Sequence, residues 1–177
     1  MFENRPDWLK LVDEESGLYN RLFLIHHLSE AFTRSVRYGT PLSCLLIQAK
    51  WWRRLDEIEQ SADAAAAYKL AQFLLLNVRT GDILGRWTRD TFLLVASNTP
   101  PEGMRALIRI IASKDEELGV CLPAGVAVSV HAGVAGLPDD KECLRHPETI
   151  PLLARERLTP VFRAGSQGGT GHPEKFI

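Results

Sequence analysis

An α/β sandwich, with helices packed against a mixed sheet, is the fold class this sequence predicts. Three observations carry the prediction. Stretches with apolar residues at helical spacing alternate with short apolar runs of strand length. Residues 83–87 and 92–96 are two such runs joined only by the polar trio Thr88-Arg89-Asp90, which reads as a hairpin. The chain of 177 residues is that of one ordinary domain, able to bury a core without metal or disulfide support. One strand pair is a hairpin and helices make the other connections, so the order reads βααββαβ. The sheet is expected to be mixed, with antiparallel pairing at its middle.

Taken in order, the chain supports each element. After a lead-in of residues 1–12, Asp13-Glu-Glu-Ser16-Gly17-Leu18-Tyr19-Asn20-Arg21 reads as a turn feeding a helix, with Ser16 and Asn20 as side-chain acceptors for free backbone N–H groups. Ile25, Leu28, Phe32 and Val36 then recur at helical spacing until Tyr38-Gly39-Thr40-Pro41 stops the pattern. Residues 42–47 form a continuous apolar run, a buried central strand ending in Gln48-Ala49-Lys50. Trp51-Trp52-Arg53-Arg54-Leu55-Asp56 is read as opening a second helical region, with Leu55, Ile58, Ala62, Leu70, Phe73, Leu74 and Asn77 on one face. A third helix from Glu102 turns Met104, Leu107, Ile108 and Ile111 inward, and Gly119 closes the segment after it. Residues 126–134 are β-rich, Gly136 to Asp140 is a turn, and 150–157 is a last helix leading to an edge strand at Val161-Phe162. From Ala164 the glycine-rich 164–177 reads as a flexible tail outside a domain of residues 13–163.

The stretch around the hairpin draws the chemistry. Arg79-Thr80-Gly81-Asp82 lies where the long helix stops, with Gly81 expected to supply a left-handed helix end, so an Arg and an Asp are held together on a tight corner. The plainer reading is a helix-terminal Arg paired with a surface Asp.

Bulk properties exclude several classes. A net charge of −1 gives no field that draws the chain to nucleic acid or anionic lipid, so neither is an expected partner. Cys44, Cys121 and Cys143 lack zinc-ligand spacing, which fits a reducing cytoplasm. No apolar run reaches membrane-spanning length, and residues 1–7 lack the order of a signal peptide. His26 and His27 face different directions on a helix, and Asp13, Glu14 and Glu15 read as a solvated acidic cluster with no metal role. Of Trp51 and Trp52, at least one is expected in the core; Trp87 is expected partly exposed.

With these residues in place, the chain resembles the GGDEF domain of diguanylate cyclases over roughly its first four-fifths. Asp13 to Arg21 matches the family's entry motif D-x-L-T-G-L-x-N-R. Gln48-Ala49-Lys50-Trp51-Trp52-Arg53 stands where the family has D-x-D-x-F-K, Thr88-Arg89-Asp90-Thr91-Phe92 aligns with the signature hairpin, and Val130 to Ala135 with the later S-I-G-V-A strand. The resemblance implies the family's five-stranded, cyclase-like sheet with helices on both faces.

The same resemblance argues against catalysis. Such a cyclase holds divalent metal beside a triphosphate with carboxylates, because hard cations prefer oxygen ligands. Here the first metal aspartate is Gln48, the hairpin glycines are Thr88 and Arg89, and the glutamate expected after Asp90 is Thr91. Asp56 stands at a guanine-reading asparagine and Ala65 at an aspartate. The expectation is a degenerate domain that is not an enzyme and holds no magnesium or other cofactor. What the resemblance leaves is the R-x-x-D motif, which binds cyclic di-GMP in many members. Arg79 and Asp82 would read a guanine edge, Arg86 would meet a phosphate or stack on a base, and Arg105 or Arg109 would complete the pocket. The expected function is a non-catalytic cyclic di-GMP receptor that regulates association, with a second copy or a partner signalling domain as the associate. The alternative is a nucleotide-independent docking module using Trp87 and Arg89, and an active cyclase is the least expected.

Overall fold

The computed structural model describes residues 11–53 and 61–165. The elements run α1 (Arg21–Tyr38), β1 (Leu42–Arg53), α2 (Ser61–Asn77), β2 (Ile83–Thr88), β3 (Thr91–Ser97), α3 (Pro101–Ala112), α4 (Asp115–Cys121), β4 (Val126–Leu137), α5 (Thr149–Glu156) and β5 (Thr159–Gly165). A 3-10 turn at Lys141–Arg145 precedes α5.

The five strands lie in the order β2-β3-β1-β4-β5, and the α+β class with helices on both faces is as expected. The mixed pairing is not: every pairing between these five strands is antiparallel. The helical connections do return the chain in the same direction, from β1 to β2 and from β3 to β4. In each case another strand intervenes, β3 in the first and β1 in the second, so parallel strands are never neighbours.

Period-two alternation along β1 feeds two cores. Leu45, Ile47 and Ala49 pack with α2, α3 and α4, while Leu42, Cys44 and Leu46 pack with α1 and α5. At the start of α1, Asn20 accepts from the Phe23 N–H at 3.0 Å, and Gly39 ends the helix at φ 65°. The buried face of α1 is Leu24, Leu28, Ala31 and Ser35, rotated by about one residue from the expected Ile25, Phe32 and Val36, and Val36 is 49% exposed. Ser35 faces inward because its hydroxyl donates to the Thr40 carbonyl just beyond the helix.

Other expectations shift in register. Trp51, Trp52 and Arg53 do not open a helix; they extend β1 and pair with Val128, Ala127 and Val126. Leu55, Asp56 and Ile58 lie outside the described residues. Gly119 sits inside α4, and Gly125, at φ 76°, turns the chain into β4 instead. Gly136 belongs to β4, leaving Pro138 and Asp139 as the turn. Ala164 and Gly165 belong to β5, two residues into the segment expected to be tail. Among the described residues no helix is long and apolar enough to cross a membrane.

Candidate functional site

The corner between α2 and β2 is built from both sides. Asn77, at the end of α2, donates to the Phe73 carbonyl at 2.7 Å and accepts from Lys114 Nζ at 2.8 Å, fixing the helix end to the α3–α4 connection. The chain then closes a turn in which the Asp82 N–H donates to the Arg79 carbonyl at 3.0 Å. Gly81 does not take the left-handed conformation expected of it.

The entry segment forms the opposite wall. Asp13 accepts from the Ser16 N–H and hydroxyl at 2.8 and 2.7 Å, which folds the turn, and Tyr19 stacks on Phe23 with ring centroids 4.2 Å apart. The segment crosses β2 where the Arg86 N–H donates to the Tyr19 carbonyl at 2.8 Å. That crossing requires Gly85, since a Cβ there would lie 2.5 Å from the Tyr19 carbonyl oxygen. The sequence reading missed this glycine, although an isolated glycine inside an apolar strand is the usual sign of close backbone approach.

Between these walls lies a cavity of about 540 Å³ whose lining includes Arg79, Asp82, Tyr19, Val12, Leu75 and Val78. Arg79 is exposed, and among the described residues no carboxylate lies within 4.0 Å of its guanidinium. Burial pushes the Asp82 carboxyl above its ordinary range, against the Arg79 charge and a bond from the Arg79 backbone. The cavity therefore presents one cation and one partly desolvated carboxylate beside apolar walls.

The other expected ligand residues are elsewhere. Arg86 is 6% exposed and does not line the cavity. Its Nε donates to the Thr88 carbonyl at 3.3 Å and a terminal nitrogen to the Arg89 carbonyl, so it braces the hairpin turn. Its remaining nitrogen is 3.1 Å from Glu15 and 3.6 Å from Asp13, an ion pair without hydrogen-bond geometry. The acidic cluster expected to be solvated thus supplies the counter-charge for a buried arginine. Arg105 and Arg109 on α3 both pair with Glu102, at 3.3 and 3.0 Å, and neither lines the cavity.

At the hairpin, Asp90 accepts from Gln48 Nε2 at 3.0 Å, with Thr88 Oγ1 at 2.8 Å and Thr91 Oγ1 at 3.0 Å. Burial works to raise its pKa, but the bonds from Thr88, Gln48 and Thr91 together hold it below the ordinary range. Arg89 is exposed at the turn, and Ala65 is exposed on α2. Trp87 is half-buried, with the Arg21 guanidinium 4.8 Å over its ring; Trp51 packs partly into the core while Trp52 is 44% exposed.

The family described as "Diguanylate cyclase, GGDEF domain" matches residues 10–160. Diguanylate cyclase DosC of Escherichia coli (strain K12) is 24% identical over 152 residues, which cover 82% of this chain and 33% of that protein. This chain therefore spans about a third of the length of that relative. In three dimensions it is similar to the GGDEF domain of FimX from Pseudomonas aeruginosa, with a TM-score of 0.68, 19% identity and coverage of 84% of this chain and 91% of the other. The GGDEF domain of DgcB from Caulobacter crescentus, solved with cyclic di-GMP, gives a TM-score of 0.67 at 12% identity, covering 86% and 89%. Because that family match takes in the entry turn, the hairpin and the first four strands of the sheet, the chain belongs to the GGDEF domain family.

Proposed function

We propose that this GGDEF domain does not make cyclic di-GMP and instead binds it in the Arg79–Asp82 cavity, changing how the domain associates with a second copy or a partner signalling domain. The observation that carries the reading is the contrast between the two ends of the hairpin. At one end, Asp90 is the sole carboxylate among Gln48, Thr88, Asp90 and Thr91, and its oxygens already accept from neutral donors. That donor set does not fit a divalent cation, which prefers several anionic or carbonyl oxygens held open for it. Arg89 further places a side chain at the turn where a nucleotide would need bare backbone.

At the other end the cation and carboxylate of Arg79 and Asp82 face a cavity of about 540 Å³, within the range of about 300–1,000 Å³ common for small-ligand sites. A guanidinium fork suits guanine O6 and N7, and a carboxylate suits the N1–H and N2 edge. The docking alternative has less to stand on, because Trp87, its expected anchor, is half-buried under Arg21. Calorimetry with cyclic di-GMP, paired with a turnover assay on GTP and magnesium, tests the proposal. Saturable binding without turnover is the expected result. Steady turnover, or no heat at high micromolar cyclic di-GMP, would overturn it.

A further inference from the structure

Helix α2 differs from the other long helices. Helices α1 and α3 turn charged residues outward, among them Arg34, Arg37, Arg105 and Arg109, whereas α2 has two charged residues in seventeen, Asp63 and Lys69. Its inner face, with Ala66, Leu70, Phe73 and Leu74, is part of the core. Tyr68, Leu75 and Leu76 nevertheless stand on the outward face, and Leu76 is 85% exposed. A helix that is apolar on both sides is ordinarily covered on both. Lys69 is the only charge on the described outward face, and among the described residues no carboxylate lies within 4.0 Å of it.

The entry turn runs along one flank of this face. A Cβ on Gly17 would lie 3.8 Å from the Tyr68 ring, and about two turns further along α2, Val12 and Leu75 line the same cavity. Leu11 and Val12 are themselves exposed, so the apolar patch continues from α2 onto the chain that leads into the domain. Its size narrows what covers it. The strip from Tyr68 to Leu76 is about 12 Å long and about 10 Å wide, a footprint on the order of 100 Å², whereas a stable interface between folded partners takes about 800 Å² on each side. The patch fits one short segment and is too small for a second copy of the domain.

We infer that the outward face of α2 is the docking surface for residues 1–10 of the same chain, with the Trp8 indole seated against Leu75, Leu76 and Leu11. Those ten residues lie outside the described part, but connectivity fixes their reach. Trp8 precedes Leu11 by three residues, at most about 11 Å of chain. The segment carries Phe2, Trp8 and Leu9 for the apolar strip, and Glu3 and Asp7 as carboxylates for Lys69. A short tether holds it at an effective concentration in the millimolar range, so a contact too weak to form between separate molecules forms here. Val12 and Leu75 also line the Arg79–Asp82 cavity, which places the seated segment at its rim. The inference requires no ligand in that cavity and stands or falls apart from the cyclic di-GMP reading.

Thermal melts and disulfide trapping on the full chain test the inference. Trp8→Ala and Leu76→Gln should each lower Tm by about 3 °C, although a bare surface leucine replaced by another good helix former would shift it little. The double variant should fall no further than the larger single loss, because both substitutions remove one contact. For trapping, Trp8→Cys is combined with Leu76→Cys, with the exposed Cys121 removed as Cys121→Ser. Mild oxidation should then join residues 8 and 76 within one chain. The control pairs Trp8→Cys with Leu152→Cys, an exposed position on α5 across the sheet, and should not be trapped. Melts unmoved by either substitution, losses that add, a disulfide joining two chains, or equal trapping at residue 152 would overturn the assignment.

Discussion

Gln48 Nε2 donates to Asp90 Oδ2 across 3.0 Å, tying the centre of β1 to the hairpin turn, while the Ala49 N–H donates to the Asp90 carbonyl at 2.8 Å. Burial works to raise the Asp90 pKa, and the position 48 amide joins the Thr88 and Thr91 hydroxyls in holding it below the ordinary range. Gln48→Asp replaces that donor with a second carboxylate beside the first. We expect a loss of about 1 kcal/mol in unfolding free energy at pH 7. The loss should shrink as pH falls and one carboxyl takes up a proton. Urea denaturation at pH 7 and pH 5 reads both effects. The same variant should remain inactive on GTP, because Arg89 and Thr91 are untouched and such contributions act as a unit.

Arg86 belongs to the fold of the hairpin. Its guanidinium holds the Thr88 and Arg89 carbonyls and faces Asp13 and Glu15 from a position 6% exposed. Lysine cannot serve this planar set of acceptors. Arg86→Lys is therefore expected to lower stability by about 1.5–3 kcal/mol, with faster hydrogen exchange across β2 and β3. Cyclic di-GMP affinity of the folded variant should change by less than about threefold. A large loss of affinity with unchanged stability would return Arg86 to the ligand site.

Asp140 anchors the turn after β4. It accepts from Arg157 at 2.7 and 2.9 Å and from the Gly136 N–H at 2.8 Å. Burial pushes its carboxyl up, but these bonds and the Arg157 charge together hold it below the ordinary range. A carboxyl depressed in the folded state contributes its full stability above the unfolded aspartate pKa of about 4 and loses it as pH falls through the folded value. Wild-type stability should thus drop more steeply below about pH 4 than that of Asp140→Asn, measured by thermal melts across pH 3–6. At neutral pH the variant should be about 1.5–3 kcal/mol less stable.

The readable parts of this chain were those set by local chemistry. Asn20 as a cap, Gly39 as a helix end and the Thr88–Asp90 turn all follow from what one residue does to its own backbone. The misplaced parts depend on what lies across space. Nothing between Ile47 and Trp52 marks where a strand stops, and β1 continues because β4 is there to pair with it. The fully antiparallel sheet arises because another strand is inserted between each pair of parallel strands, an arrangement no local pattern records. The closeness of Arg79 and Asp82 was legible because a turn holds them three residues apart. Arg86 was misread because its partners, Asp13 and Glu15, reach it from the distant entry turn.

The Arg79–Asp82 corner carries the sharpest functional test. Arg79 lies exposed on the cavity rim, and Asp82 is partly desolvated beside it. If the guanidinium forks onto a guanine, Arg79→Ala forfeits about 1–3 kcal/mol, or roughly ten- to a hundredfold in affinity for cyclic di-GMP. Arg79→Lys should lose nearly as much, since a lysine offers no planar fork. Asp82→Ala should weaken binding and also narrow the preference for cyclic di-GMP over cyclic di-AMP, because adenine has no N1–H to donate. The raised pKa of Asp82 adds a pH signature: affinity should begin to fall, on acidification, at a pH above the ordinary aspartate value of about 4, and that fall should vanish in Asp82→Asn. Two nearby surface charges with no ligand role predict otherwise, namely stability changes of a few tenths of a kcal/mol and no change in binding. Calorimetry on the wild type and these variants separates the two, and equal affinities across the series would remove the corner from the site.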